Sequence, residues 1–424
     1  MRSIYIISIL IGLYGTAEAQ KICSSVEYTR EIASRSAMVA SSIQASENQV
    51  NEFVATRRNT FNRDTVSEEL INIPVVVHVL YNNSIQNITD AQIKSQLEVI
   101  NNDFGNLNQD KSNRPSAFKN LAADVRIKFC LAQVDPSNRR TSGIVRKSTT
   151  TAMFTADDAM KFDGRGGSTA WNSKKYLNIW VCPMNSRTLG YATAPGSAME
   201  LDGVVISYDV FGTLGNLRAS FNKGRTTTHE IGHWLGLKHL WGDADCGDDG
   251  VFDTPRQKSY NFGCPTFPRV TSCSENQNGD MFMNFMDFTD DGCMNMFTTG
   301  QKMRVRALFA SNGSKNSFLT AFGCDSNLAQ GGPVVDPTPA PVVLNEDFKI
   351  FPNPVANQLT IERINAANEK VQTFNIFNAF GDMVYTGSCN AGTTKIQLNH
   401  LKPGAYFIRL KSDAFNKTIK FIKL

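Results

Sequence analysis

Three of the chain's five histidines fall in one run, His229-Glu230-Ile231-Gly232-His233-Trp234-Leu235-Gly236-Leu237-Lys238-His239. On a helix, residues four apart share a face, so His229 and His233 can offer two imidazoles to one divalent ion. Glu230 stands beside them, placed to take a proton from a water polarised by that ion and to return it to a leaving amine. Gly236 lets the chain leave the helix through a backbone conformation that a side chain obstructs, which brings His239 round as third ligand. Three neutral nitrogens leave a fourth position open for water or a scissile carbonyl oxygen, the arrangement of a catalytic zinc. The rival reading is a helix whose histidines pack or face solvent without metal; it accounts for a bare pair, but not for the third histidine and the glycine at the turn.

The pattern resembles that of the metzincin metallopeptidases, whose second signature is a methionine-bearing turn beneath the metal. The chain reads Met283-Asn284-Phe285-Met286-Asp287-Phe288 and then Asp290-Asp291-Gly292-Cys293-Met294-Asn295-Met296. Within the metzincins these motifs resemble the pappalysin family, in its bacterial branch of ulilysin- and cytophagalysin-like enzymes. The resemblance implies that Met286 forms an apolar thioether floor under the imidazoles; the alternative is an ordinary core methionine. It also implies an α/β (α+β) catalytic domain, with a twisted mixed sheet over a zinc-binding helix, and a preference for Arg or Lys just after the cut. Asp290 and Asp291 are candidates for an acidic pocket there. One departure stands out: many relatives carry Tyr two residues after this methionine, where the chain has Phe288. Without that phenol, polarisation of the carbonyl rests on zinc and on backbone N–H groups.

At 424 residues, 41% hydrophobic and 19% charged, the chain has room for two to three domains. A net charge of +4, with no dense basic patch carrying interleaved aromatics, argues against nucleic acid as a partner. Arg2, an apolar run over residues 4–14 and Ala17-Glu18-Ala19 describe a secretory signal peptide over 1–19. That run is short for a membrane anchor. Nine cysteines in an exported chain point to disulfides with one left over. Cys246, Cys264, Cys273 and Cys293 admit three pairings, of which the ulilysin-like resemblance implies Cys246 with Cys273 and Cys264 with Cys293. Cys130 and Cys182, each in an apolar strand-like run, read as buried free thiols. Cys324 and Cys389 have no assigned partner.

Residues 20–66 are polar and weakly helical and read as a pro-segment, with Ala55-Thr56-Arg57-Arg58-Asn59 as an exposed basic site for maturation. A thiolate is a strong zinc ligand, so Cys23 could fill the open coordination position and impose latency. A disulfide from Cys23 to a stray cysteine such as Cys324 is the alternative. Residues 67–325 form the catalytic domain, with strands over 71–80, 124–134, 176–182 and 203–208 and helices over 91–104, 225–237 and 301–311. Residues 190–194 resemble the metzincin edge strand, which pairs with extended substrate. The loop Asp243 to Pro255 clusters carboxylates around glycines, hard oxygen donors suited to calcium. Its spacing is not that of an EF-hand, and a solvated acidic loop is the alternative; the resemblance favours structural calcium on Asp248, Asp253 and Thr254.

A Pro/Gly-rich linker over 326–344 precedes a module over 345–424 whose strand-like runs describe a small all-β sandwich. Its pieces Phe351-Pro352-Asn353-Pro354, Gly381-Asp382-Met383-Val384-Tyr385 and Leu401-Lys402-Pro403-Gly404 resemble the C-terminal sorting domain of the type IX secretion system. That implies passage through outer-membrane secretion machinery. An adhesive or carbohydrate-binding sandwich is the rival, and it lacks an aromatic platform. The reading is a secreted, monomeric zinc endopeptidase acting on proteins or peptides, at the cell surface or beyond. The competing functions are a zinc hydrolase of non-peptide amides or esters and a surface adhesin with a metal-stabilised scaffold.

Overall fold

The computed structural model describes residues 22–58, 69–185, 187–274, 277–321, 324, 348–363, 373–378, 383–389, 393–411 and 416–424. The signal peptide, the 326–344 linker, and Asn59, Gly381 and Asp382 of the motifs above lie outside them. The chain divides into two compact units, Met1–Thr338 and Pro339–Leu424.

The first unit is built on a seven-stranded mixed sheet in the order β1-β6-β7-β5-β2-β3, with β4 also paired to β2. Its spine is β2 (Ile71–Tyr81), an eleven-residue run of Val and Ile buried along nearly all its length. Strands covered on both faces read as continuous apolar runs, and β2 pairs in parallel with β3 (Ile127–Leu131), β4 (Ile144–Ser148) and β5 (Leu177–Cys182). β5 pairs in parallel with β7 (Val204–Ser207), and β6 (Thr188–Ala192) runs antiparallel to β7 at the edge. One more strand covers that edge: β1 (Ile22–Cys23) pairs with β6 in parallel.

Two helices from the first third of the chain, α1 (Ser25–Arg35) and α2 (Ala37–Arg57), cover the unit on the side of β6 and α6 (Thr299–Ala307). α1 buries Tyr28 and Ile32, whereas α2 shows little amphipathic signal: Val50 is its one buried side chain, with Phe53 and Val54 partly buried beside it. α3 (Asp90–Phe104) starts at Thr89, whose hydroxyl accepts the Gln92 N–H at 3.1 Å, and buries Ile93, Leu97, Ile100 and Phe104; the single turn α4 (Ser116–Lys119) follows. α6 starts with a capping box of Thr298 and Gln301.

Several elements are shorter than the sequence pattern implies. β3 begins at Ile127 because Arg126 has φ 61°, a left-handed residue that breaks extended backbone, with its N–H held by Asp124 at 2.7 Å. The histidine-bearing helix α5 (Arg225–Trp234) and α6 also stop early, at Trp234 and Ala307. The reading of Cys130 as a free thiol is corrected: it forms a disulfide with Cys324, Cα–Cα 5.9 Å. A sequence separation of 194 hides a pair that only the path of the chain back to β3 creates. Cys182 is free and buried, and so is Cys23, which removes its alternative pairing with Cys324. Disulfides also join Cys246 to Cys273 and Cys264 to Cys293.

The second unit holds two antiparallel sheets. One, in order β11-β10-β13-β14, comprises β10 (Thr373–Asn378), β11 (Met383–Ser388), β13 (Gly404–Lys411) and β14 (Asn416–Lys423); the other, β12-β9-β8, comprises β8 (Phe348–Phe351), β9 (Gln358–Arg363) and β12 (Thr393–Gln397). Leu359, Ile361 and Ile396 from one sheet meet Phe374, Ile376, Ile408, Leu410 and Phe421 from the other in a single core, the packing of a sandwich.

Replacing Cys324 by Ser should lower stability by about 2–5 kcal/mol, because the crosslink closes a very long loop of the unfolded chain. Urea unfolding of the variant checks the loss, and a non-reduced peptide map checks the Cys130–Cys324 link.

Candidate active site

α5 begins as one of the most buried helices in the chain, with every residue from Arg225 to Trp234 buried. Its first turn is fastened from three sides. The Asp291 carboxylate accepts the N–H groups of Lys223 and Arg225 at 2.9 and 3.1 Å, a negative group where the helix end is positive. Thr227 donates to Gln96 at 2.9 Å and Thr228 to Asp103 at 2.6 Å, both on α3. Arg225 Nε lies 3.0 Å from Asp103, a buried ion pair. Burial pushes the Asp103 carboxyl up to about 7, against the pull of Arg225 and the Thr228 hydrogen bond.

The opposite end releases the chain. Gly236 has φ 79°, and the Leu237 N–H turns back to the Gly232 carbonyl at 2.9 Å. This turn is what carries His239 to the other two histidines. The ring nitrogens then converge: His233 Nε2 is 3.1 Å from His229 Nε2 and 3.0 Å from His239 Nε2. Nitrogens about 2.0–2.1 Å from one tetrahedral ion sit about 3.3 Å apart, so the set fits a metal.

Each remaining ring nitrogen is held by an acceptor. His229 Nδ1 donates to the Phe285 carbonyl at 2.7 Å, His233 Nδ1 to the Leu237 carbonyl at 2.8 Å, and His239 Nδ1 to the Asp243 carboxylate. These bonds fix the tautomer that leaves every Nε2 lone pair facing the centre. Burial by itself raises the Asp243 carboxyl, but the His239 hydrogen bond and charge outweigh it and hold it below the usual range.

Met286 lies below, fully buried, with its backbone N–H held by Asn284 at 2.9 Å. A Cβ on Gly232 would come within 2.4 Å of the Met286 sulfur, so the glycine in the helix is what allows the methionine turn to close against it. Phe288 packs against His239 with ring centroids 4.8 Å apart, and Trp241 stacks on His239 at 4.4 Å. The ring at position 288 is therefore packing that holds an imidazole in place.

Glu230 sits between this centre and the edge strand. A side chain at Gly190 would press on Glu230 Cγ at 3.1 Å and on the Val205 carbonyl at 2.8 Å, so β6 needs glycine there. The N-terminal segment occupies the same space. Cys23 and the three histidines have ligand atoms within 4.8 Å of one another, and Cys23 Sγ donates to Glu230 Oε2 at 3.4 Å. Ser25 donates its hydroxyl to Glu230 Oε2 at 2.7 Å while accepting the Ala192 N–H of the edge strand at 2.8 Å. Burial first, then the Glu230 carboxylate, raises the Cys23 thiol well above its ordinary value; a divalent cation among the imidazoles acts in the opposite sense.

Each of the expected calcium ligands has protein partners of its own. Asp253 turns to the N-terminus of α6, accepting Thr298 Oγ1 at 2.6 Å and Gly300 N–H at 2.8 Å. Thr254 donates to Asp249 at 2.9 Å, and Asp248 accepts the Gly250 N–H at 2.7 Å and faces Arg256. Among the described residues, the other close group of potential metal ligands is Asp245, Cys246 and Cys273, two of them joined in a disulfide. Asp291, one of two residues considered for an acidic pocket, is instead buried as the cap of α5. Ser25, Asp243 and Trp241 belong to the site without having been singled out in the sequence. Asp243 alone carried a signal, since it lies four residues after His239.

Convergent imidazoles, an adjoining carboxylate and a strand edge able to bind extended chain belong to enzymes that use one metal ion to hydrolyse peptide bonds. Comparison with known proteins narrows this class. The family described as pregnancy-associated plasma protein-A matches residues 165–310, and the secretion-system C-terminal sorting domain matches residues 349–424. An extracellular metalloprotease of Verticillium alfalfae is 32% identical over 250 residues, covering 57% of this chain and 78% of the relative. One from Pyricularia oryzae is 30% identical over 298 residues, covering 68% and 88%. Mature mirolysin of Tannerella forsythia, solved with a cleaved peptide, is 48% identical with a TM-score of 0.60, over 62% of this chain and all (100%) of that one. Promirolysin of the same organism is 45% identical with a TM-score of 0.60, over 66% and 94%. The chain belongs to the pappalysin family of metallopeptidases: it is a secreted zinc metalloendopeptidase made as a zymogen, with a type IX sorting domain at its C-terminus.

Replacing Asp243 by Ala frees the His239 ring to rotate and should weaken metal binding by about 10–100-fold, with the fold retained. Competition against a chromogenic chelator measures it; unchanged affinity would show that Asp243 does not orient the ligand.

Proposed function

We propose that His229, His233 and His239 hold the catalytic zinc, that Glu230 moves the proton, and that residues 20–66 are a pro-segment closing the site through Cys23 and Ser25. The observation that carries this reading is the convergence of three Nε2 atoms 3.0–3.1 Å apart beside a carboxylate already engaged by the N-terminal segment.

Bound zinc supplies a Lewis acid that polarises the scissile carbonyl and makes water a nucleophile at neutral pH. Glu230 accepts the proton of the attacking water and holds it on Oε2, the atom that Ser25 engages in the precursor. It then delivers the proton to the amide nitrogen as the bond breaks. With the N-terminal segment gone, β6 offers free N–H and C=O groups that align an extended substrate by strand addition. Trp241 and Phe288 keep water away from the His239 face.

Latency follows from the same contacts. Cys23 takes the position that water must occupy, β1 takes the strand edge, and Ser25 ties up the base. Residues 67–325 are the catalytic domain and act on protein and peptide chains as a monomer. The preference for Arg or Lys after the cut falls to Asp290, since Asp291 is committed to α5. Structural calcium at Asp248, Asp253 and Thr254 would draw on two carboxylates and a threonine, with backbone carbonyls completing the roughly six to eight oxygens the ion takes.

Glu230→Ala should lower kcat by about 100- to 10,000-fold at unchanged zinc content, read by peptide cleavage and metal analysis. Cys23→Ala should give a precursor that cleaves peptides before any maturation; a variant as silent as the parent would remove the thiol from the latency mechanism. A chelator selective for calcium should lower the melting temperature while zinc stays bound, and an unchanged melting curve would remove the calcium site.

A further inference from the structure

Glu47, in the middle of α2, is an anion around which two cations of the catalytic unit close. Its carboxylate accepts from Arg304 Nη2 at 2.8 and 3.0 Å and from Lys238 Nζ at 2.9 Å. One turn on, Asn51 accepts from Arg304 Nη1 at 3.0 Å. The Arg304 side chain is 1% exposed, while Lys238, between His233 and His239 in sequence, reaches solvent. Both cations stand on the catalytic unit and both of these acceptors stand on α2. A cavity of about 530 Å³ runs past Glu47 and Lys238, lined by Glu47 and Ser25 on one side and by His233, Lys238, Ala194 and Pro195 on the other; Arg304 is buried against Glu47 and does not line it. The carboxylate of Glu47 and one of the metal-binding imidazoles therefore border the same space, next to the continuation of the edge strand.

Release of α2 removes this carboxylate and opens that space. Arg304 then keeps a long contact to the Gly236 carbonyl at 3.5 Å and the field of the buried Asp249 but loses its two-oxygen partner, and the planar fork of arginine is shaped for a carboxylate. We infer that Lys238 and Arg304 form a carboxylate-binding subsite of the mature cleft, selecting Glu or Asp at one position near the scissile bond, with Glu47 as its occupant in the precursor. This rests on the pro-segment reading above and adds a specificity determinant to it. The selected group is an acidic side chain, because two cations with donors alone reward a carboxylate over the isosteric amide.

The test uses mature enzyme released from the full-length precursor, with intact mass placing its new N-terminus beyond Asn51. One cleaved peptide sequence is made in paired versions carrying Glu or Gln at each position flanking the scissile bond. At one position kcat/KM for Glu should exceed that for Gln by about tenfold, the size expected of a charge-assisted hydrogen bond partly open to water. In Lys238→Ala that ratio should fall toward one, and in Lys238→Glu a peptide with Lys at that position should become the better substrate. Equal rates for Glu and Gln at every position would overturn the proposal, as would an acid preference that survives both Lys238 variants. Cleavage of the neutral parent peptide, lost in Glu230→Ala, keeps failure of the peptidase reading separate.

Discussion

Three imidazoles can share one ion only if their lone pairs meet at a point, and nothing in a flexible side chain ensures this. Here the orientation comes from the far side of each ring, where two backbone carbonyls and one carboxylate hold the Nδ1 atoms. Those acceptors lie on the methionine turn, on the chain just past Gly236, and four residues after His239. The site is therefore as well ordered as the relative placement of α5 and that turn. This explains why so much buried polar structure surrounds the helix: the Asp291 cap, the Asp103–Arg225 pair, and Asp202, which accepts the Trp234 indole N–H at 2.8 Å and Lys315 at 2.7 Å. Buried ion pairs add little net stability, but they make wrong registers costly, and register is what the metal needs.

The latency proposed for the N-terminal segment draws on the same geometry. A cleft with a strand edge, a metal-binding centre and a carboxylate base can be met by a chain that brings a strand, a thiol and a hydroxyl to those places. β1, Cys23 and Ser25 do this within four residues. α1 and α2 then anchor the plug by other means. Tyr28 donates to the buried Asp158 at 2.9 Å beside Lys161, and Glu47 meets Arg304. These polar anchors stand beside apolar ones: Tyr28 and Ile32 belong to one buried cluster, and Val50, with Phe53 and Val54 beside it, to another.

Three disulfides in the first unit accord with a chain that works outside the cell, where thiols oxidise and no chaperones repair local unfolding. Two of them staple the irregular stretch between the histidine helix and the methionine turn, which has almost no regular secondary structure of its own. The third ties the end of the catalytic unit to β3. The sorting domain has a separate apolar core, so each unit can fold around its own hydrophobic cluster.

What the sequence determined by itself was local chemistry. His229, Glu230, His233 and His239 were legible because helix periodicity and one glycine turn suffice to bring them together, and β2, β5 and β7 were legible because strands buried on both faces are written as Val- and Ile-rich runs. The motifs around Pro352 and Gly404 were legible through their resemblance to a sorting domain, and the sandwich through turn signals between strand-like runs. Tertiary structure decided whatever depends on residues distant in the chain. Cys130 looked like a buried thiol until the chain's return placed Cys324 beside it. Asp291 looked like a pocket acid, yet it caps a helix that begins elsewhere in the sequence, and Asp253 likewise meets the N-terminus of α6. α2 carried too weak a pattern to predict its docking, because it buries a single side chain fully and adds pairs such as Glu47 with Arg304, separated by most of the catalytic unit. Periodicity reports which face of an element is apolar; it carries no information about which distant polar group will meet it.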